Sequence, residues 1–208
     1  NFNFFLPTKV LFGAGRLNDL HAEPLPGKKA LIAIGGQSVK KHGYLERLEK
    51  ELDKAGVAHV LFEGIRANPT RQNVMDGAKA VRDNGCDFVI ALGGGSVMDC
   101  TKCIALMAAN DGNIWDYSLS VTGGKKAPAH PAIPIVCITT SAGTASEVDT
   151  ATVISDDEAD EKTAIFDVSM FPTLSIVDSD LMMTVPPKLT AYQGMDAFFH
   201  ASETVINK

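Results

Sequence analysis

Asp196 and His200 stand four residues apart in a stretch, Leu189 to Ile206, whose pattern is helical throughout. That spacing puts a carboxylate and an imidazole on one face, about one turn apart, where together they can grip a divalent cation. Surface helices carry the same pair with no metal in view, so spacing alone leaves both readings open. No histidine follows His200, so residues beyond it cannot complete a multi-histidine site.

Gly93-Gly94-Gly95-Ser96 is a second group. It lies between an apolar run, Asp87 to Leu92, and a helical pattern from Val97 to Ala109. At such a junction backbone amides and the positive end of the helix dipole converge, which suits a phosphate, and bare glycines let it approach. Met98 stands where the common dinucleotide fingerprint has its third glycine, and no Gly-Lys-Ser/Thr follows as in a Walker A loop. A plain tight turn is the competing reading. Thr139-Thr140-Ser141-Ala142-Gly143-Thr144-Ala145-Ser146-Glu147 is a third group, hydroxyls and small residues after a buried strand. It can hydrogen-bond the amide, ribose or phosphate of a nucleotide, or be a Ser/Thr turn capping a helix. If both loops follow neighbouring strands, they line one edge of a sheet, where ligands bind in open α/β folds.

Other candidates carry less. Cys100 and Cys103 have Cys-x-x-Cys spacing, but inside the helix after the glycine loop, where packed thiols are expected rather than a redox pair. His21, His42, His59 and His130 are isolated, with surface or packing roles as the default. The acidic stretch 156–161 reads as the solvated tip of a hairpin.

The elements that must position these groups alternate. Strand runs at Ala30–Ile34, Val57–Phe62, Asp87–Leu92 and Ile133–Thr139 are separated by helical patterns containing Leu45, Leu48, Leu52 and then Val74, Ala78, Val81. That alternation is the mark of a parallel sheet covered on both faces. Thr150–Ile154 and Thr163–Phe166 flank the acidic tip as a hairpin, and Leu174–Val177 is a further strand. Beyond Pro186-Pro187 the pattern is purely helical, which places a boundary between a first domain, 1–185, and a segment, 186–208.

The 208 residues are 45% hydrophobic and 21% charged, with a net charge of −6. That excludes a disulfide-stapled miniature and argues against nucleic acid or an acidic membrane as partner. No run approaches the roughly 18–20 apolar residues of a membrane span. Asn1 to Pro7 lacks the pattern of a signal peptide, and the missing initiator Met points to trimming. Four cysteines in a chain this long fit a reducing compartment, hence a cytoplasmic expectation.

Taken together, these motifs resemble the N-terminal part of the iron-containing (group III) alcohol dehydrogenases, relatives of glycerol dehydrogenase and dehydroquinate synthase. The matching residues are Pro7-Thr8-Lys9-Val10-Leu11-Phe12-Gly13, Asn68-Pro69-Thr70, Gly93-Gly94-Gly95-Ser96 with Asp99 and Lys102, and Thr139-Thr140 with Gly143-Thr144. Asp178, Pro186-Pro187 and Gly194-Met195-Asp196-Ala197-Phe198-Phe199-His200 complete the match. The resemblance implies an α/β fold: a Rossmann-like parallel-sheet domain followed by the start of an all-helical second domain, truncated here after its first helix. It implies that Gly94, Gly95, Ser96 and Asp99 hold the pyrophosphate region. Thr139, Thr140 and Thr144 would lie along the nicotinamide half, with Asn68, Lys162 and Leu181 also against the cofactor. Asp196 and His200 would be two of four ligands to Fe²⁺, with Zn²⁺ as the alternative.

NAD-preferring relatives often place an Asp at the end of the first sheet strand; this chain has Gly35, then Gly36, Gln37, Ser38, Val39, Lys40 and Lys41. Without the acid, repulsion of a 2′-phosphate disappears, and Ser38 and the lysines can stabilise it, which favours NADP(H) over NAD(H). Ala145 replaces the family's glycine in Gly-Thr-Gly-Ser-Glu. The activity implied is NAD(P)-linked oxidation of a small primary alcohol or reduction of its aldehyde, in a homo-oligomeric protein. The alternatives are a glycerol-type polyol dehydrogenase or, for this chain by itself, a nucleotide-binding module without turnover.

Overall fold

Strands that are apolar at every position can be satisfied only between two layers, and the order of elements supplies both. The computed structural model describes residues 3 and 5–206; part of the 1–7 segment, and residues 207 and 208 of the helical segment, lie outside the described residues. In chain order the elements are β1 (Lys9–Phe12), β2 (Lys29–Ile34), α1 (Ser38–Lys41), α2 (Tyr44–Lys54), β3 (Ala58–Phe62) and α3 (Arg71–Asn84). There follow β4 (Phe88–Gly93), α4 (Gly95–Ala109), β5 (Ile135–Thr139), β6 (Ala151–Asp156), β7 (Glu161–Phe166), β8 (Leu174–Val177) and α5 (Pro187–Ile206).

Six strands form one sheet in the order β1-β8-β5-β4-β2-β3, and every neighbouring pair is parallel. Successive side chains of a strand point to opposite faces, and the core divides accordingly. Ala30, Ile32 and Ile34 of β2 pack with Phe88, Ile90 and Leu92 of β4 and with Leu45, Leu48 and Leu52 of α2. Leu31 and Ala33 face the other way, with Val89 and Ala91, against α3 (Val74, Ala78, Val81) and α4 (Met98, Cys103, Ile104). Because all strands run one way, the segments after β2, β4, β5 and β8 emerge along a single edge.

Thr70 starts α3 as its N-cap, accepting a hydrogen bond from the Asn73 amide, and Gly85, with φ of 60°, ends it. All four cysteines are free and buried, as expected of packed thiols. Burial pushes the Cys103 and Cys137 thiols up to about 12, so neither is poised as a thiolate. Among the described residues no helix is long and apolar enough to cross a membrane.

Three features differ from the sequence expectation. The Pro7–Gly13 motif contains an edge strand, β1, paired to β8 from Lys9↔Leu174 to Phe12↔Val177. The β6–β7 strands run on to Asp156↔Glu161, so the turn is shorter than expected. The acidic tip is also not merely solvated: Asp156 is buried and bonds Arg71 Nη1 at 3.0 Å, while Glu158 pairs with the same arginine. Arg66 meets Asp157 at 3.1 Å, and the Ser155 amide donates to the Pro69 carbonyl at 2.9 Å. The hairpin is thus clasped to the start of α3. Arg71→Ala strands the buried Asp156 carboxylate and should cost about 1–3 kcal/mol in urea unfolding. Amide exchange should quicken in β6–β7 while β2 and β4 stay protected.

Candidate nucleotide and metal cleft

The glycine loop is bare because its surroundings leave no room. A Cβ on Gly93 would meet Val97 at 2.6 Å, one on Gly94 would meet Ser141 Oγ at 2.9 Å, and one on Gly95 would meet Thr144 Cγ2 at 2.8 Å. The loop after β5 therefore packs directly onto the loop after β4, and the Thr140 amide donates to the Gly93 carbonyl at 3.0 Å. No side chain caps the N-terminus of α4. A helix start left open in this way directs amides and partial positive charge at whatever lies before it.

Before it lies a cavity of about 490 Å³. Gly95, Ser96 and Asp99 line it from α4, Thr144, Ser146 and Asp149 from the loop after β5, and Ala151, Val153 and Lys162 from the hairpin. Asn68 and Pro69 close one side, Asp196 and His200 another. Asn68 has φ of 56° and accepts from Lys162 Nζ at 2.7 Å, which fixes the ammonium at the cavity wall. Asp196 Oδ1 and His200 Nε2 are 3.8 Å apart. A carboxylate oxygen and an imidazole nitrogen suit Fe²⁺ or Zn²⁺ as part of a donor set. Among the described residues no group of three or more His, Cys, Asp and Glu converges, so this pair does not by itself form a full donor set.

Asp99 lines the cavity, and both its carboxylate oxygens are engaged by the protein. Its Oδ1 accepts from Ser146 Oγ at 2.7 Å and its Oδ2 from the Val153 amide at 2.9 Å. Burial pushes the carboxyl above its ordinary value, against the opposing pull of those two bonds and of Lys102. Lys102, fully buried, donates to Asp149 Oδ1 at 2.7 Å and to the Ala151 carbonyl at 3.1 Å. Ser146 belongs to the hydroxyl-rich run read from the sequence, whereas Asp149 and Val153 carry no such mark there. The available signal is Lys102 itself, the one cation of α4, which needs a buried acceptor.

The remaining predicted residues divide. Thr144 lines the cavity and also a neighbouring cleft with Ser141, Tyr192, Gln193 and Asp196. Thr139 is fully buried, and its hydroxyl donates to the Ser141 carbonyl at 2.7 Å, inside the turn. Leu181 is buried in the core on the α2 face rather than brought to the cavity. Gly35, Gly36 and Ser38 follow β2, next to β4 in the sheet, outside the cavity itself. No helix intervenes between β5 and β6, so the Thr139–Glu147 segment is not a helix cap. It seats α5 instead: the Ala142 amide donates to Gln193 Oε1 at 3.1 Å, and a Cβ on Gly143 would lie 2.7 Å from the Gln193 carbonyl.

An open parallel sheet with its polar cleft at the carboxyl edge defines a Rossmann-like α/β domain. The chain belongs to the iron-containing alcohol dehydrogenase family, whose sequence profile matches residues 7–179. It is 37% identical over 204 residues to a probable NADH-dependent butanol dehydrogenase of Bacillus subtilis, covering 98% of this chain and 51% of that protein. It is 36% identical over 208 residues to an NADPH-dependent aldehyde reductase of Escherichia coli, covering 100% and 53%. The crystal structure of NADH-dependent butanol dehydrogenase A from Thermotoga maritima superposes with a TM-score of 0.91 at 31% identity, covering 98% of this chain and 50% of that one. The chain spans about half the length of the curated relatives it matches.

Two substitutions test the cleft. Asp99→Asn keeps the shape but turns an amide N–H₂ toward one of two donors, and should cost about 1–3 kcal/mol in urea unfolding. Ala145 is held at φ of 56°. Ala145→Gly relieves that left-handed strain and should raise stability by about 1 kcal/mol, read as a higher urea midpoint.

Proposed function

We propose that this chain supplies the nucleotide-binding half of a metal-dependent, NAD(P)-linked alcohol dehydrogenase or aldehyde reductase. The protein would move a hydride between nicotinamide and a small primary alcohol or its aldehyde. The observation that carries this reading is one cavity lined by the uncapped start of α4, by Lys162 and by the Asp196–His200 pair. The activities in the relatives' names, butanol dehydrogenase and aldehyde reductase, support the substrate class.

In this reading the Gly95 and Ser96 amides bind the pyrophosphate, with Gly94 keeping the approach clear and Thr140 and Thr144 alongside. Asn68 and Lys162 bind toward the nicotinamide end, where the fixed ammonium meets ribose or amide oxygens. Asp99 acts through Ser146 and Val153, holding the walls that orient the ring. Asp196 and His200 hold Fe²⁺, with Zn²⁺ as the alternative, together with donors from outside this chain. Bound there, the metal supplies Lewis acidity toward the substrate oxygen. The segment from 186 onward is the start of the helical domain, supported by an α5 with no buried residue.

NADP(H) is the preferred cofactor, since Gly35 and Gly36 stand where an acid would repel a 2′-phosphate. The four buried free thiols support a cytoplasmic setting, and the exposed Val10 and Phe12 on the edge strand β1 support homo-oligomers. The partial donor set favours a further statement about this chain alone: it binds nucleotide without turning over.

Calorimetric titration of NADPH and NADH into the chain tests the reading. Both should bind, NADPH more tightly, and Lys162→Ala should weaken both by about tenfold through loss of a charge-assisted bond. The intact protein, loaded with Fe²⁺ or Zn²⁺, should oxidise NAD(P)H with short aldehydes. Absence of binding by both nucleotides, or of oxidation by the metal-loaded protein, would overturn it.

A further inference from the structure

The turn after β2 carries a charge pair that the cavity does not use. Lys40, in α1, places Nζ 2.5 Å from Oε1 of Glu63, the residue that follows β3. The two side chains are 34% and 42% exposed. The Lys40 bond, with a smaller contribution from Gln37, holds the Glu63 carboxyl below its ordinary value despite some desolvation. Lys40 and Gln37 belong to the turn that flanks the glycine loop, because β2 lies beside β4. In open α/β folds the end of the strand beside the phosphate-binding strand carries the group that reads the adenosine ribose. Here Gly36 offers no side chain and faces open space. An acid is nonetheless present in that neighbourhood, displaced by one strand and bonded to a lysine of the turn.

We propose that Glu63 sets the preference between NADPH and NADH by holding Lys40 away from the 2′ position of the adenosine ribose. While the pair is closed, the Lys40 charge is neutralised locally, and the Glu63 carboxylate repels a phosphate that approaches it. A 2′-hydroxyl carries no charge and feels both groups far less. Opening the pair leaves Lys40 free to meet the phosphate, so Glu63 acts as a brake on NADPH affinity and is neutral toward NADH. The inference rests on the nucleotide reading proposed above and deepens it at the ribose end.

The test is a comparison of NADPH and NADH dissociation constants for the chain and for Glu63→Gln and Lys40→Gln. Glu63→Gln should tighten NADPH by about three- to tenfold and leave NADH within about twofold, as expected for one exposed charge a few ångströms away. Lys40→Gln should weaken NADPH by a similar factor and spare NADH. The gain in Glu63→Gln should shrink in about 1 M salt, where screening is short-ranged. If both nucleotides bind and the ratio of their constants stays within twofold in Glu63→Gln, this inference is overturned while the nucleotide reading stands. If neither nucleotide binds the unaltered chain, that reading is overturned and this inference with it.

Discussion

Asp99 enters the cleft from the second turn of α4 and spends both carboxylate oxygens on the protein, one on Ser146 Oγ and one on the Val153 amide. Three elements are thereby held at fixed separation: the helix that begins at the glycine loop, the segment after β5, and the β6–β7 hairpin. Lys102 repeats the arrangement three residues later through Asp149 and the Ala151 carbonyl. Burying such charges is expensive unless they are paired or hydrogen-bonded; here Lys102 is paired with Asp149, and Asp99 accepts two hydrogen bonds. The same economy explains the glycines, whose missing side chains let the loops after β4 and β5 come into direct contact.

That contact network links the two halves of the proposed chemistry. One end of the Thr139–Glu147 segment is tied to Asp99 by Ser146, and its middle seats α5 through Ala142 and Gly143. α5 buries none of its own residues, so these bonds are what aim Asp196 and His200 at the cavity. Lys162 is aimed from the opposite wall by Asn68 and by the Arg66 and Arg71 clasp on the hairpin. The groups proposed to face nucleotide and metal thus share one set of supports.

Much of this was legible in the residues. The buried strands announced themselves by unbroken apolar runs, because a doubly covered parallel sheet has no solvent face to record. The glycine loop was legible because strand, glycines and helix follow without interruption. β1 has four residues at a sheet edge, with too few positions for a period to emerge, and its pairing to β8 is a contact across the whole chain. Hydroxyl orientation was likewise hidden. Thr139 and Thr144 look alike in sequence, yet one closes a turn inside the core and the other faces the cavity. The roles of Arg71, Asp149 and Val153 are set by tertiary partners far along the chain, which local pattern does not encode.

A crystal structure of the chain with NADPH bound is the most direct test of how the cleft is used. The account predicts the pyrophosphate on the Gly95 and Ser96 amides and the nicotinamide in the cavity between Lys162 and the Asp196–His200 pair. Asp99 should remain bonded to Ser146 and Val153, without touching phosphate. A nucleotide bound away from the sheet's carboxyl edge, or an Asp99 released from both partners to meet the cofactor, would contradict it.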